Sequence, residues 1–435
     1  MRPSVELPYS RQLHSMLLVA ASIFVFAGMA SMSLTRPSGS DVWTAFAVWI
    51  ACALAGAALL NRYLPAHDRL LFPLAMLLSG WGLVAIYRLA PSFAERQALW
   101  LVISVAALLA VALAPHILRW LRIYRYVVLA LALLLLLATI VFGRNPSGFA
   151  FAPRLWLSLG AFYIQPSEFM KIILVAFVAS YLGEQSTAIR ADARDGGRTR
   201  AFSPRLIGPM LIMWLLSLVI LIWQRDLGAA TLFFVVFLLL LYLTSDDARI
   251  LLGGALLIII AAIVAYHLFD VVRLRVDIWL NPWPESDGRA YQIVQSLMAF
   301  GAGSIFGTGV GLGSPGYIPV AHSDFVFAAL AEEWGLLGVI CVLSCFAALA
   351  FRGLTIGLAP SGRAFHKLLA IGLTMMLVVQ ALMIMAGVLK LLPLTGVTLP
   401  FVSYGGSSLL VCFTMTGLLL RLSAMAEPAR QAEGT

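Results

Sequence analysis

Long apolar runs separated by short polar connections dominate the chain. Twelve of these runs reach about 20 mostly apolar residues, the length that an α-helix needs to cross the hydrocarbon core of a bilayer. They span residues 14–34, 43–61, 70–89, 97–115, 124–143, 166–183, 206–223, 227–243, 249–269, 325–350, 367–391 and 404–424. The pattern predicts an all-α polytopic membrane protein with about twelve transmembrane helices.

Two connections are longer than the others. Residues 184–205 are polar and rich in arginine, which indicates a solvated cytoplasmic hairpin. Residues 270–324 instead contain two tryptophans, four prolines, a glycine-rich run and an apolar stretch at 293–300. We expect this second connection to be structured, with interfacial or re-entrant helices over one membrane face.

Composition supports a membrane location. Hydrophobic residues make up 62% of the chain and charged residues 11%, against about 25% charged in soluble domains. A soluble fold is therefore excluded. The net charge of +9 comes from arginines in short loops, so we expect contacts with membrane lipids and no nucleic-acid partner. The four cysteines lie in apolar runs and predict neither disulfides nor a metal site.

The distribution of cations predicts an orientation. With the N-terminus inside, 18 of the 29 Lys and Arg residues fall in inner segments and ten in outer segments, and Lys171 lies within a span. Because inner loops carry the excess of Lys and Arg, both termini are predicted to be cytoplasmic and 270–324 to face outward.

Ionisable residues inside a membrane are costly and therefore mark candidate sites. Glu168 and Lys171 have the i,i+3 spacing of an ion pair at the start of the sixth predicted span. They are either a structural pair or the charged lining of a cavity, with Lys171 available to an anionic ligand. Asp226 lies in a short outer turn, where capping of the next helix is an adequate explanation.

Asp324 lies at the outer mouth of the tenth predicted span, where N-capping alone would account for an aspartate. Its surroundings favour a second interpretation, because Arg273, Arg275 and the glycine run are predicted on the same membrane face. Cations, a flexible backbone and one carboxylate suit a phosphorylated lipid. Glu332 and Glu333 are adjacent, so at most one of them faces any cavity.

Six segments, taken in order, resemble the SEDS family (shape, elongation, division and sporulation), of which RodA and FtsW are members. They comprise Arg154–Gly160 with Gln165–Lys171, Gln224–Gly228, Tyr291–Ser296, His322–Phe327 with Glu332–Glu333, Leu392–Gly396 and Ser403–Ser408. The resemblance covers about residues 70–424. It implies a ten-helix core over 70–424, two additional helices within 1–69 and a cytoplasmic tail at 425–435.

The resemblance implies a peptidoglycan glycosyltransferase in the bacterial cell membrane. It would polymerise lipid II, with undecaprenyl-pyrophosphate-linked glycan as the growing chain, at the outer face during cell elongation or division. Its expected partner is a class B penicillin-binding protein. A divalent cation such as Mg²⁺ or Mn²⁺ is the candidate cofactor, with unknown ligands. The essential loop aspartate of the family maps onto Asp324, and its ion pair onto Glu168 and Lys171. The predicted substrate-binding residues are Glu168, Lys171, Arg273, Arg275, Asp226, Ser403, Gly405 and Gly406.

Two other functions stay open: a lipid II flippase, and a scaffold without chemistry. A polymerase needs its carboxylate at the outer face, whereas a flippase needs a polar path through both leaflets, and the inner halves of these spans are almost entirely apolar. The sequence also departs from the family at Ile384, usually an asparagine, and at Lys390, usually a glycine. These changes bear on the shape of the local cavity and on lipid preference.

Overall fold

The computed structural model describes residues 8–35, 41–145, 154–160, 162–194, 204–224, 226–359 and 363–433. Its helices are α1 (Pro8–Thr35), α2 (Asp41–Tyr63), α3 (Leu71–Leu89), α4 (Pro91–Leu113), α5 (Ile117–Ile123), α6 (Arg125–Phe142), α7 (Pro166–Arg194), α8 (Pro204–Trp223), α9 (Leu227–Ser245), α10 (Arg249–Leu268), α11 (Asp270–Leu280), α12 (Tyr291–Gly303), α13 (Val326–Gly357), α14 (Ala364–Val388) and α15 (Gly406–Glu433). A two-stranded antiparallel hairpin, β1 (Leu157–Leu159) and β2 (Phe162–Ile164), precedes α7.

The all-α membrane architecture is confirmed. Within the described residues, eleven helices are long and apolar enough to cross a membrane, and α8 has a shorter apolar stretch at Met210–Trp223. Each overlaps one of the twelve predicted spans. Boundaries differ most at the ends of α7, which continues to Arg194, and of α15, which continues to Glu433. Helix α4 begins six residues early, at Pro91. Proline suits the first turn of a helix, where its missing N–H has no intrahelical partner, and this explains the early start of α4.

Helix α3 forms the centre of the bundle and is buried along nearly its whole length, whereas α10 is exposed along nearly all of its length. Helix α15 packs along α4, and α14 packs between α7 and α13. The two N-terminal helices pack on this core, α1 against α3 and α2 against α4. In a membrane protein, an exposed apolar helix such as α10 is a surface that contacts lipid.

Helix α13 is broken at Gly335, whose φ of 64° and ψ of −163° are not helical. The irregular segment 304–309 enters the break and replaces the missing intrahelical hydrogen bonds. Four backbone bonds do this: Thr308 N to Glu332 O (2.9 Å), Gly309 N to Glu333 O (3.1 Å), Leu336 N to Ser304 O (2.9 Å) and Leu337 N to Ile305 O (3.2 Å). The short N-terminal part of α13 is thereby tied to the glycine run.

Glu332 and Glu333, the two glutamates next to this break, both have hydrogen-bond donors. Glu333 accepts a hydrogen bond from Arg88 Nε at 2.8 Å, and both side chains are buried. Glu332 accepts one from the backbone N–H of Ser314 at 2.6 Å. Helix α1 reaches the same region through Ser31 Oγ, which donates to the Val310 carbonyl at 3.0 Å. The two carboxylates therefore hold the glycine run in place.

The predicted structured connection 270–324 contains α11, α12 and two short 3₁₀ turns, which agrees with the expectation of helices there. The arginine-rich connection 184–205 differs, because α7 continues through its first part to Arg194, and residues 195–203 lie outside the described residues. The predicted tail at 425–435 is likewise a continuation of α15 to Glu433.

Candidate active site

Asp324 lies in the loop before α13 and does not cap that helix. The N-cap residue is Phe325, and no side chain accepts a hydrogen bond at this helix start. The capping explanation is therefore wrong. The half-buried carboxylate accepts a hydrogen bond from Ser323 Oγ at 3.0 Å. Burial raises the pKa of Asp324, while Ser323 and the charge of Arg275 lower it.

The carbonyl groups next to Asp324 are held by the turn before α15. Tyr404 N donates to the His322 carbonyl at 2.8 Å, and Ser403 Oγ donates to the Ser323 carbonyl at 2.5 Å. Ser403 Oγ also accepts a hydrogen bond from Leu399 N at 2.9 Å. Two adjacent carbonyls fixed in this way restrict the direction in which the Asp324 side chain leaves the backbone.

The predicted substrate-binding residues Ser403, Gly405 and Gly406 lie behind this loop, and none of them lines the cavity that contains Asp324. Gly405 N donates to Gln97 Oε1 at 3.5 Å. Gly406 packs against the indole of Trp100 so closely that a Cβ would overlap the ring. These contacts indicate that Ser403, Gly405 and Gly406 position the loop that carries Asp324.

A cavity of about 220 Å³ opens beside Asp324 between α11, α12 and the end of α14. Arg275 of α11 lines it and donates to the Thr395 carbonyl at 3.3 Å. Burial lowers the pKa of Arg275, and the charges of Asp324 and Asp226 raise it. The other polar side chains of the lining are Trp279, Arg289, Gln292 and Lys390. The cavity thus combines one carboxylate with three cations.

Arg273 does not join Asp324, contrary to the prediction that both arginines serve one site. It is exposed on another face of α11, with its guanidinium 3.8 Å from Asp270 and over the Tyr266 ring. It lines a separate groove of about 430 Å³ with Asp277, Glu285 and Arg289. Residues that are two positions apart in a helix point in directions about 200° apart around its axis, so Arg273 and Arg275 cannot share a face.

The predicted ion pair of Glu168 and Lys171 is confirmed. Lys171 Nζ lies 2.7 Å from Glu168 Oε2 and 2.8 Å from Gln380 Oε1, and the lysine is 2% exposed. Gln380 in turn donates to the Thr398 carbonyl at 2.7 Å. The pair is enclosed between α7 and α14 and does not line the Asp324 cavity.

Asp226 caps α9, as expected from its position, by accepting from Ala229 N at 3.2 Å. Its second oxygen accepts from Ser167 Oγ at 3.1 Å, which joins the start of α7 to the start of α9. The charge of Asp226 also raises the pKa of Arg275, which lines the cavity.

A resident metal ion does not fit the donor set. Among the described residues, no three His, Cys, Asp or Glu side chains are placed to hold one. Asp324 is the single carboxylate of the cavity lining, and cations stand beside it. Mg²⁺ and Mn²⁺ prefer several oxygen ligands, which this lining does not supply.

The chain belongs to the family of cell cycle proteins that includes FtsW, RodA and SpoVE, whose profile matches residues 68–427. It is 36% identical to the peptidoglycan glycosyltransferase RodA of Mycobacterium tuberculosis, over 96% of this chain and 91% of that protein. It is 33% identical to the stage V sporulation protein E of Bacillus subtilis, over 82% of this chain and 94% of that protein.

Solved structures give the same assignment. A chain from a structure describing coordination of polymerization and crosslinking by a peptidoglycan synthase complex has a TM-score of 0.68 and 27% identity, over 82% of this chain and 97% of its own. The rod shape determining protein RodA of Thermus thermophilus has a TM-score of 0.58 and 25% identity, over 82% and 96%. Helices α1 and α2 lie outside the matched family region.

Proposed function

We propose that this chain, a peptidoglycan glycosyltransferase, polymerises lipid II at the outer face of the membrane with Asp324 as its general base. One observation carries the proposal. Asp324 is a carboxylate without a described ion-pair partner, in a cavity lined by Arg275 and two further cations. A base and an anion-binding surface are the two groups that glycosyl transfer from a lipid pyrophosphate requires.

The reaction joins the 4-hydroxyl of one sugar to the anomeric carbon of another. The hydroxyl oxygen forms a bond to that carbon, and the bond from the carbon to the pyrophosphate oxygen breaks with its electron pair on the oxygen. The hydroxyl proton passes to Asp324. Because a neutral hydroxyl is a weak nucleophile, removal of this proton assists the attack. Attack opposite the leaving pyrophosphate inverts the anomeric centre.

Arg275 is suited to two tasks in this reaction. Its positive charge lowers the pKa of Asp324, which opposes the effect of burial, and it offsets charge that develops on the departing pyrophosphate. Its hydrogen bond to the Thr395 carbonyl fixes the guanidinium at the cavity wall. An arginine held in place needs little reorganisation as the transition state forms.

Lys171 has a different part in the proposal. Its ammonium is already hydrogen-bonded to Glu168 and Gln380, so direct binding of substrate requires that one of these bonds be given up. We therefore assign the pair to positioning of α7 against α14. An enclosed pair of this kind also offers no open polar path through the membrane, which weighs against a flippase.

The orientation and partner follow from charge and relatedness. Both termini are placed in the cytoplasm because inner segments carry most of the Lys and Arg residues. The Asp324 cavity then opens to the outer face, where a cross-linking enzyme acts on the product. A class B penicillin-binding protein is the proposed partner, supported by similarity to a chain of a synthase complex that coordinates polymerization with crosslinking.

The test is polymerisation of labelled lipid II by the purified full-length chain, alone and with a class B penicillin-binding protein. We expect glycan strands that lysozyme digests, with a higher yield when the partner is present. Transport of lipid II across vesicle membranes without any polymer would favour the flippase. Neither activity in a folded, partner-bound protein would favour the scaffold.

A further inference from the structure

Lys390 occupies a backbone position that normally belongs to glycine. Helix α14 ends in a Schellman motif, in which Leu391 N donates to the Ala386 carbonyl at 2.8 Å and Lys390 N to the Gly387 carbonyl at 3.2 Å. The residue after the cap in this motif is left-handed, and Lys390 has a φ of 60°. A side chain costs about 1 kcal/mol in that conformation, so lysine here needs a compensating reason.

The Lys390 side chain lines the cavity that contains Asp324 and Arg275. Its backbone carbonyl accepts a hydrogen bond from Trp279 Nε1 of α11 at 3.1 Å, which ties the turn to the opposite wall. The ammonium has one described hydrogen bond, to the Leu280 carbonyl at 3.5 Å, the outer limit for such a contact. An ammonium carries three donors, so most of its capacity is free for a ligand.

We propose that Lys390 binds the pyrophosphate of the donor lipid, the substrate whose pyrophosphate leaves. The inference rests on the proposed function, since it assigns a residue to the same cavity. The donor must place its anomeric carbon beside the hydroxyl that Asp324 deprotonates. Its pyrophosphate is one bond away from that carbon and therefore reaches the cations of the same cavity. Arg275, Arg289 and Lys390 are those cations.

A second explanation for Lys390 is purely structural. A cation near the last turn of a helix interacts favourably with the negative end of the helix dipole. That explanation predicts an effect on stability and none on ligand affinity. Glycine at position 390 separates the two, because it suits the left-handed backbone while removing the ammonium.

The experiment measures binding of undecaprenyl pyrophosphate to the full-length chain in detergent, with undecaprenol as the uncharged probe. The variants are Lys390→Gly, Lys390→Met and Lys390→Arg. Lys367→Met is the matched control, since it removes a lysine from the other end of α14. Thermal unfolding is recorded for each variant.

We expect Lys390→Gly to melt at or above the wild-type temperature and to bind undecaprenyl pyrophosphate on the order of 10- to 100-fold more weakly, the effect of one charged hydrogen bond. Undecaprenol binding should not change. Lys390→Met should lose the same affinity, while Lys390→Arg and Lys367→Met keep it. In polymerisation, Lys390→Gly should raise the KM for lipid II.

Wild-type affinity in a folded Lys390→Gly protein would overturn the assignment, as would an equal loss in the Lys390→Arg variant. These outcomes leave the proposed function intact if the wild type makes polymer. Conversely, a wild type that binds undecaprenyl pyrophosphate through Lys390 but makes no polymer would refute the polymerase and retain the binding site.

Discussion

Replacement of Asp324 by asparagine is the most direct test of the candidate base. Asparagine has the same shape and keeps an oxygen that accepts the 3.0 Å hydrogen bond from Ser323 Oγ. The carbonyls that hold the loop belong to His322 and Ser323, so the substitution does not alter them. It also removes a carboxylate whose ionised form is disfavoured by burial. We therefore expect a melting temperature within about 2 °C of wild type, since substitutions of this kind change stability by about 0.5 kcal/mol or less.

The effect on rate should be large. Loss of a general base costs on the order of 10²–10⁴ in rate, which is about 3–5 kcal/mol of transition-state stabilisation. Asp324→Glu should recover little activity. The loop holds the backbone in place, so the extra methylene moves the carboxylate by about 1 Å, and such a displacement costs about 10²-fold in rate. The two variants together separate the presence of a carboxylate from its placement.

The assay is the initial rate of polymerisation of labelled lipid II as a function of pH, with melting temperature and partner binding as controls. Because burial raises the pKa of Asp324 above its ordinary value of 3.8, the wild-type rate should fall with decreasing pH at a point above 3.8. The residual rate of Asp324→Asn should lack this dependence. A folded Asp324→Asn protein that polymerises at the wild-type rate would refute the assignment and direct attention to Asp226.

Three further predictions concern the bundle and its orientation. Lys171→Met leaves Glu168 buried without a cation and should lower the free energy of unfolding by about 3–5 kcal/mol. The double variant Glu168→Gln/Lys171→Met should be more stable than the single one, and equal melting temperatures of the two in detergent would contradict the pairing. Arg88→Met should destabilise the protein similarly and lower the rate of polymerisation, because Glu333 loses its ion pair and the Gly313 carbonyl loses its hydrogen bond. Unchanged protease resistance of this variant would show that the contact is dispensable. In a cysteine-free background, a cysteine at Asp287 should react with a membrane-impermeant maleimide from outside and one at Ala248 should not; the reverse result inverts the topology.

The transmembrane spans could be predicted from sequence because the bilayer imposes one length and one composition on each helix. The break in α13 could not, since it falls inside a single predicted span, shortly after Glu332 and Glu333. Its cause is distant in the chain: the backbone N–H groups of residues 308 and 309 take the place of those of Leu336 and Leu337 as donors to the helix carbonyls before Gly335. A glycine in an apolar helix does not reveal which segment will enter beside it.

The candidate site was predictable in part for a related reason. Asp324 and Arg275 could be placed on one membrane face, but the separation of Arg273 from Arg275 required knowing that residues 270–280 form a single helix, α11. Lys390 was visible only as an unusual residue, because its cavity forms between helices that are far apart in sequence. The capping explanation for Asp324 failed since α13 starts one residue later than a capping aspartate requires.

The partners of the acidic side chains distinguish Asp324 from the buried carboxylates that are held in ion pairs. Asp68, Glu168 and Glu333 each contact an arginine or lysine directly, in the pairs Arg352–Asp68, Lys171–Glu168 and Arg88–Glu333. A carboxylate in such a pair has lone pairs committed to the cation that it contacts. Asp324 instead has a hydroxyl as its hydrogen-bond donor and no described ion pair, an arrangement that it shares with Asp226. Asp226, however, caps α9 and lies outside the lining of the cavity, whereas Asp324 lines it. The remaining lone pairs of Asp324 are therefore free for a substrate hydroxyl, and burial raises its proton affinity. A base needs such free lone pairs, and the paired carboxylates have committed theirs to a cation.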